Sequence, residues 1–532
     1  MKLSKRHARV PASVKLRLVL LALFATLVAA LAVGCGGGDD SSSGDSEAAT
    51  LAPPTAPIFI DFTISPEGAT KTNIEELAKK LAGIDDLGDL IVTELENSAS
   101  EDGEELDFEK EVEPWLGERA GLFLQEYEEE DFEGYGAAIQ TEEEDEAREF
   151  IDKQAENSDE SFEDGSYEGV DFKVQEDETT IGVFDGFVVF AENEAIFKSM
   201  VDASGGENLA AEEPFTAAMG DVPDESAADV FVDIGGLIEE AGDEIDADTQ
   251  TFLDSVGIEP REATAVASLV PGSDNVEIDL SSNLGGDNPP SGDASELLGS
   301  LPGTSVGALA ADEFGQRFNE GIDKIDKQGI PGEVPPNQLK KALKQAGVDL
   351  EAIAGSIGDV GVYVTGNSEK TLAGALVMEA EDETQATNTV SNVGLFLRKA
   401  GVSGVTKISE GATGFSIRSP ELGRQPVVVA AKGDRIVIGY GLASALSAFE
   451  EAGKTLADNP AFQEAESALG GTPITAFVDG HAALKLASAM VPPGEEEFEE
   501  AKQYLTKIDY IAAGSEASGD LATAKLIVGV GK

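Results

Sequence analysis

The segment "IFIDFTI" sets Ile58, Ile60, Phe62 and Ile64 at every second position, the period of a half-buried strand. Ile74, Leu77, Leu81, Ile84 and Leu87 then recur at spacings of three and four, which predicts an amphipathic helix. Thr72 and Glu75 stand as a capping box at its start. Far downstream, "NVEIDLS" alternates again, with Val276, Ile278 and Leu280 opposite Glu277 and Asp279. Strands with one polar face suit antiparallel sheets covered on one side. With short glycine turns between strands and helices between strand pairs, the pattern predicts an α+β fold.

The pattern is also written twice. "VFDGFVVFAENEAIFKSMVDA", from Val183, has the same strand, turn and helix grammar as "AAKGDRIVIGYGLASALSAFEEA", from Ala430. "EEPFTAAMGDVPDESAADVFVDIGGLIEEA" parallels "NPAFQEAESALGGTPITAFVDGHAALKLA", and the shared "FVD" recurs at an offset of 246 residues, Phe231–Asp233 and Phe477–Asp479. "PWLGERAGLFLQ" at Pro114 parallels "AGSIGDVGVYVT" at Ala354. The expected architecture is therefore two tandem copies of one unit of antiparallel sheet plus helices. The Gly-, Pro- and Ser-rich run from Gly285 to Gly303 divides them. The expected organisation is residues 54–290 for the first copy, 291–300 for a linker and 301–532 for the second.

The chain's beginning carries an address. Lys2, Lys5, Arg6, Arg9, Lys15 and Arg17 precede an uncharged run from Leu18 to Val33. This is the layout of an export signal, expected over residues 1–34. Its sixteen residues are short for a spanning helix, which needs about 20. Gly34 and Cys35 resemble the end of a bacterial lipobox, although Ala32 holds the place where leucine is usual. Cys35, the sole cysteine, is thus the expected lipidation site, with a retained transmembrane anchor as the alternative. Two acyl chains hold a protein stably, where one is marginal. Either way the rest of the chain is expected outside the cytoplasmic membrane, at its outer face. The Gly-, Ser- and Asp-rich stretch after Cys35, through residue 53, is expected to be a flexible tether.

Charge narrows the partners. The formal net charge is −67; residues 51–290 hold −56 of it and residues 291–532 only −13. Phosphate-mediated nucleic-acid binding needs clustered Lys and Arg and is excluded. The densest acidic stretch, Glu101–Glu149, reads as solvated helix and turn faces. Such a surface can also hold Ca²⁺ or Mg²⁺ loosely through carboxylate oxygens. "DEIDADTQTFLD", Asp243–Asp254, lacks the glycine and terminal glutamate of a calcium loop. No metal ligand and no cofactor is assigned.

The remaining motifs yield little chemistry. Gly439 and Gly441 before a helix suggest a dinucleotide fingerprint, but Ser444 replaces the third glycine and no parallel βαβ context exists. His481 is the only histidine after the signal, beside Asp479, and reads as a turn or helix-start residue. Trp115, the only tryptophan, reads as a core or lid aromatic. No catalytic residue stands out. At "PEGATK" and "EPWLGERA" the chain resembles a family of actinobacterial lipoproteins catalogued as domain of unknown function 3352. That resemblance implies no known activity, ligand or catalytic residue. The expected function is a non-catalytic, membrane-anchored ectodomain that binds or scaffolds a partner in the cell envelope. The alternatives are a carrier of lipid in a groove between sheet and helices, and a carboxylate-based, cation-dependent enzyme.

Overall fold

A computed structural model describes residues 46–85, 87–88, 90–93, 106–128, 131–158, 161–220, 222–241, 263–283, 292–328, 335, 337–345, 354–355, 357–399, 401–408, 411–419, 423–449, 454–492, 494–518 and 521–531. The signal, Cys35, the first part of the tether and Asp243–Asp254 lie outside them. The described residues divide into two compact units, unit 1 up to residue 283 and unit 2 from residue 292.

Unit 1 holds ten strands: β1 (Ile58–Thr63), β2 (Leu116–Glu128), β3 (Asp131–Thr141), β4 (Phe162–Tyr167), β5 (Val170–Gln175), β6 (Thr180–Phe184), β7 (Phe187–Ala191), β8 (Ala228–Asp233), β9 (Thr264–Pro271) and β10 (Asn275–Asn283). They pair in the order β10-β9-β8-β1-β2-β3-β7-β6-β5-β4, antiparallel throughout. Helices α1 (Gly68–Ala82), α2 (Glu144–Asn157), α3 (Glu194–Ser204), α4 (Glu213–Met219) and α5 (Ile234–Ala241) connect them. The main core lies on one sheet face. There Phe59, Phe123, Phe231 and Val266 meet Phe197 and Met200 of α3 and Phe215 and Met219 of α4. Helix α3 starts where Asn193 Oδ1 accepts the amides of Ala195 and Ile196, at 2.9 and 3.1 Å, an N-cap that satisfies otherwise orphaned donors.

Unit 2 holds β11 (Ser305–Ala311), β12 (Val360–Thr365), β13 (Ala373–Glu379), β14 (Val405–Lys407), β15 (Thr413–Ile417), β16 (Val427–Lys432), β17 (Arg435–Tyr440), β18 (Ile474–Asp479), β19 (Ile508–Ser518) and β20 (Leu521–Val530). Their order is β20-β19-β18-β11-β12-β13-β17-β16-β15-β14, again antiparallel. Each strand of unit 2 thus holds the place of the strand ten numbers earlier. The helices used below are α6 (Ser295–Ser300), α7 (Phe314–Gln328), α8 (Glu383–Lys399), α9 (Leu442–Ser447), α10 (Pro460–Ala468) and α11 (Gly480–Met490). Ala308, Tyr363, Val377, Phe477 and Ile527 pack with Leu297 and Leu298 of α6, Ala445 of α9 and Phe462 of α10. On the other face, α8 covers only the β15–β17 end, through Ala386 and Val390 on Phe415, Val429 and Ile436.

Several expectations need correction. The tether ends before Ser46: Glu47–Leu51 is a 3₁₀ helix, and Ala49, Leu51 and Ala52 are fully buried in the core of unit 1. Gly121 permits this, since a Cβ there would come 2.6 Å from Ala48. The expected linker 291–300 likewise runs into α6, whose Leu298 is fully buried. The capping box fails. Helix α1 begins at Gly68, Glu67 is its N-cap, and the Thr72 hydroxyl donates back to the Gly68 carbonyl at 3.0 Å. The helix stops at Gly83, where φ is +72°, so Ile84 and Leu87 join the Ile74 cluster from beyond its end. Part of the acidic stretch is not helix or turn but the long hairpin of β2 and β3.

Candidate functional site

In β1 the alternation hides a charge. Phe59 and Asp61 face the core, and Asp61 is only 2% exposed. Asp229 of β8 lies directly across from it and is fully buried. From β2, Arg119 bridges the pair: its Nε and Nη2 donate to Asp61 Oδ1 at 2.9 and 2.8 Å. Its Nη2 also lies 3.7 Å from Asp229. The Ser226 hydroxyl donates to Asp229 Oδ2 at 2.7 Å, while Oδ1 has no hydrogen-bond partner. Burial pushes the Asp229 carboxyl above its usual range, against the downward pull of Ser226, Ser268 and Arg119.

This cluster belongs to unit 1 alone. Phe59 pairs with Phe123 as Ala308 pairs with Tyr363, and "FVD" aligns Phe231 with Phe477. Those registers put Ala310 in the place of Asp61 and Asp359 in that of Arg119, and, across a β-bulge at Thr475, Ile474 pairs with Gly514 as Asp229 pairs with Ser268 and so holds the place of Asp229. Unit 2 folds through the same strand order without the cluster, so the topology does not require it. General acid–base chemistry needs a group within reach of a substrate. Both carboxyl groups are closed to solvent here, so the cluster is a buried ion network.

A pH dependence follows. Because the folded carboxyl of Asp229 holds its proton at pH values where the unfolded one has released it, stability falls as pH rises from about 4 through the raised folded value. Asp229→Asn removes that loss. Denaturant melts across this range should therefore show Asp229→Asn gaining on the wild type as pH rises, and a pH-independent difference would contradict the burial effect.

The residues singled out in the sequence scatter. Trp115 is a core residue beside Phe150, its indole N–H donating to the Glu111 carbonyl at 2.7 Å. His481 opens α11; its side chain is largely exposed and its Nδ1 lies 3.5 Å from Asp509. Asp479 caps that helix, Oδ1 accepting from the Ala482 amide at 2.8 Å. Asp233, its counterpart, accepts from the Gly236 amide at 2.8 Å. Gly439 and Gly441 serve a tight turn into α9: φ is +96° at Gly441, and a Cβ on Gly439 would come 2.6 Å from Ala445. Helix α9 is too short to present an anion site. Among the described residues no three His, Cys, Asp or Glu side chains gather as a metal site, and no helix is long and apolar enough to cross a membrane. A shallow groove of about 320 Å³ opens beside Glu369, Lys370, Arg424 and Tyr440. There the Tyr440 hydroxyl accepts the Arg424 and Gln425 amides at 3.0 and 3.1 Å.

What the alternation did not reveal is how unevenly apolar surface is left open. Among the side chains whose exposure is described, the large apolar ones left exposed in unit 1 are Leu90 and Leu280. Unit 2 exposes Leu309, Phe314, Phe318, Ile325, Val364, Phe396 and Ile438, among others. Ala476, Leu309, Val362, Leu376 and Ile438 form one continuous cross-strand row over β18, β11, β12, β13 and β17. The row lies on the face opposite the main core, beyond the part that α8 covers. Leu309, at its centre, is 51% exposed.

The model of a family described as "Protein of unknown function (DUF3352)" matches residues 16–525. No curated protein matches. Crystal forms III and I of TP0453 are similar over 76% of this chain and 98% of theirs, at 9% and 8% identity and TM-scores of 0.20 and 0.17. Likenesses that faint carry no argument.

Proposed function

The chain belongs to that family of unknown function, and from this premise we propose that it is a non-catalytic binding ectodomain, held at the outer face of the cytoplasmic membrane through a lipid on Cys35. Its body is a duplicated scaffold. The matching strand orders, the paired caps Asp233 and Asp479, and the edge-on ring pairs Phe215–Phe231 and Phe462–Phe477, with centroids 5.0 and 5.2 Å apart, support the duplication. The observation that carries the binding reading is the open apolar row of unit 2. Exposed patches of this kind mark interaction sites, and an acidic, solvated unit 1 in the same chain suits a carrier of binding surface rather than of chemistry.

A second reading, a carrier of an apolar ligand such as a lipid, is favoured by α7. Its Phe314, Phe318 and Ile325 recur at helical spacing and stay exposed.

Two measurements test these proposals. Cys35→Ala should release the chain from the membrane fraction or leave its signal uncleaved; a variant that is still membrane-bound and normally processed removes the lipid anchor. Native mass spectrometry of the chain purified from its own membrane should show a bound lipid or apolar ligand that Leu309→Asp with Ile438→Asp abolishes. A mass free of ligand removes the carrier reading, and a ligand retained by the double variant places its site elsewhere.

A further inference from the structure

Helix α8 has an ordinary inner stripe. Ala386, Val390 and Gly394 are buried, and Leu397 packs with them toward Phe415. Off that stripe Leu395 and Phe396 face solvent, Phe396 at 68% exposed, and Val393 and Val402 are exposed nearby. Isolated exposed apolar residues are common, but these gather at one end of one helix and in an unusual electrostatic setting. The chain has 103 acidic residues, yet Thr384 through Ser409 has none, the longest such run after Asp40. The run contains Arg398, Lys399 and Lys407, and all three are exposed. None of them forms an ion pair with a described residue. Lys399 stands three and four positions after Phe396 and Leu395, hence on their side of the helix. Lys407 pairs across the strands with Phe415, whose side chain lies under Gly394, so it projects to the side that α8 occupies.

We infer that the C-terminal end of α8 is a membrane-docking tip, its bases taking anionic lipid headgroups and Phe396 and Leu395 entering the acyl boundary. This combination, apolar side chains flanked by bases, is what binds an interface electrostatically and by burial at once. The chain's overall negative charge does not prevent it, because salt screens exposed charges beyond about 8 Å. A second copy is the poorer occupant. A twofold contact would set Arg398, Lys399 and Lys407 against themselves. The inference rests on the membrane-side placement proposed above, but its test needs no lipid on the protein.

The test is flotation of the chain from residue 36 onward, which keeps every described residue and lacks Cys35. It is mixed with vesicles of phosphatidylcholine alone or with about 30% phosphatidylglycerol, enough to give a negative surface. The chain should float with the anionic vesicles only, and less at high salt. Leu395→Glu with Phe396→Glu should abolish flotation. Arg398→Gln with Lys399→Gln and Lys407→Gln should weaken it by roughly two orders of magnitude, at about fivefold per base. All five side chains are exposed, so the variants should keep the wild-type melting curve. No flotation, equal flotation with both vesicle types, flotation unaffected by the glutamates, or self-association through Phe396 without lipid would each overturn the inference. A chain that floats here while the Cys35→Ala variant stays membrane-bound and normally processed would fault the anchor and not the tip.

Discussion

Arg119→Ala should cost unit 1 about 3–5 kcal/mol, the loss expected when a buried ion pair is broken from one side. The loss is not the worth of the bridge itself. Removing the guanidinium leaves Asp61 and Asp229 facing each other across β1 and β8, both closed to solvent, with no cation between them. The control is the combination Asp61→Ala, Arg119→Ala and Asp229→Thr, which leaves a neutral side chain at each position, with alanine at 61 as unit 2 has at Ala310. It removes the stranded charges together with their partner, and replacing a whole buried cluster by apolar or neutral groups is often close to neutral. It should therefore be more stable than Arg119→Ala alone. Trp115 is the only tryptophan and is buried in unit 1, so its fluorescence follows that unit's unfolding. An Arg119→Ala transition at the wild-type denaturant concentration would contradict the network's role.

Phe231→Ala and Phe477→Ala should each cost about 3–5 kcal/mol. Both rings are essentially inaccessible, and each is met edge-on by a helix phenylalanine, Phe215 or Phe462. The two main cores share no residue. Phe231→Ala should therefore move the Trp115 transition to lower denaturant, and Phe477→Ala should leave it in place. For Phe477→Ala the loss appears instead as faster proteolysis within unit 2. If one substitution is severe and the other mild, the two positions are not structural equivalents, and the duplication proposal weakens.

Much of the fold was legible because strands and helices announce themselves by period. The "FVD" strands, the hairpin and helix after Val183 and the helix start at His481 lie where the pattern puts them. Asp61 was not legible. Its strand packs on both faces, so Phe59 and Phe62 are both buried, and alternation does not tell which side an acid takes. Ala48, Ala49 and Leu51 looked like tether because small residues beside a Ser- and Asp-rich run carry no period. A glycine on the neighbouring strand gave them their berth. Leu395 and Phe396 were detectable in principle. They fall outside the Ala386, Val390, Gly394 and Leu397 stripe, inside the longest acid-free run after Asp40. The open row of unit 2 was not, since exposure of alternate strand residues depends on which helices cover the sheet.

The division of labour between a solvated unit 1 and a binding unit 2 is tested most directly by hydroxyl-radical footprinting. The chain held in its own membrane is compared with the chain from residue 36 onward in solution. Modification of Leu309, Phe396 and Ile438 should fall sharply in the membrane while Leu90 and Leu280 react as before; protection at Leu90 and Leu280, or no change at the unit 2 residues, would contradict the account.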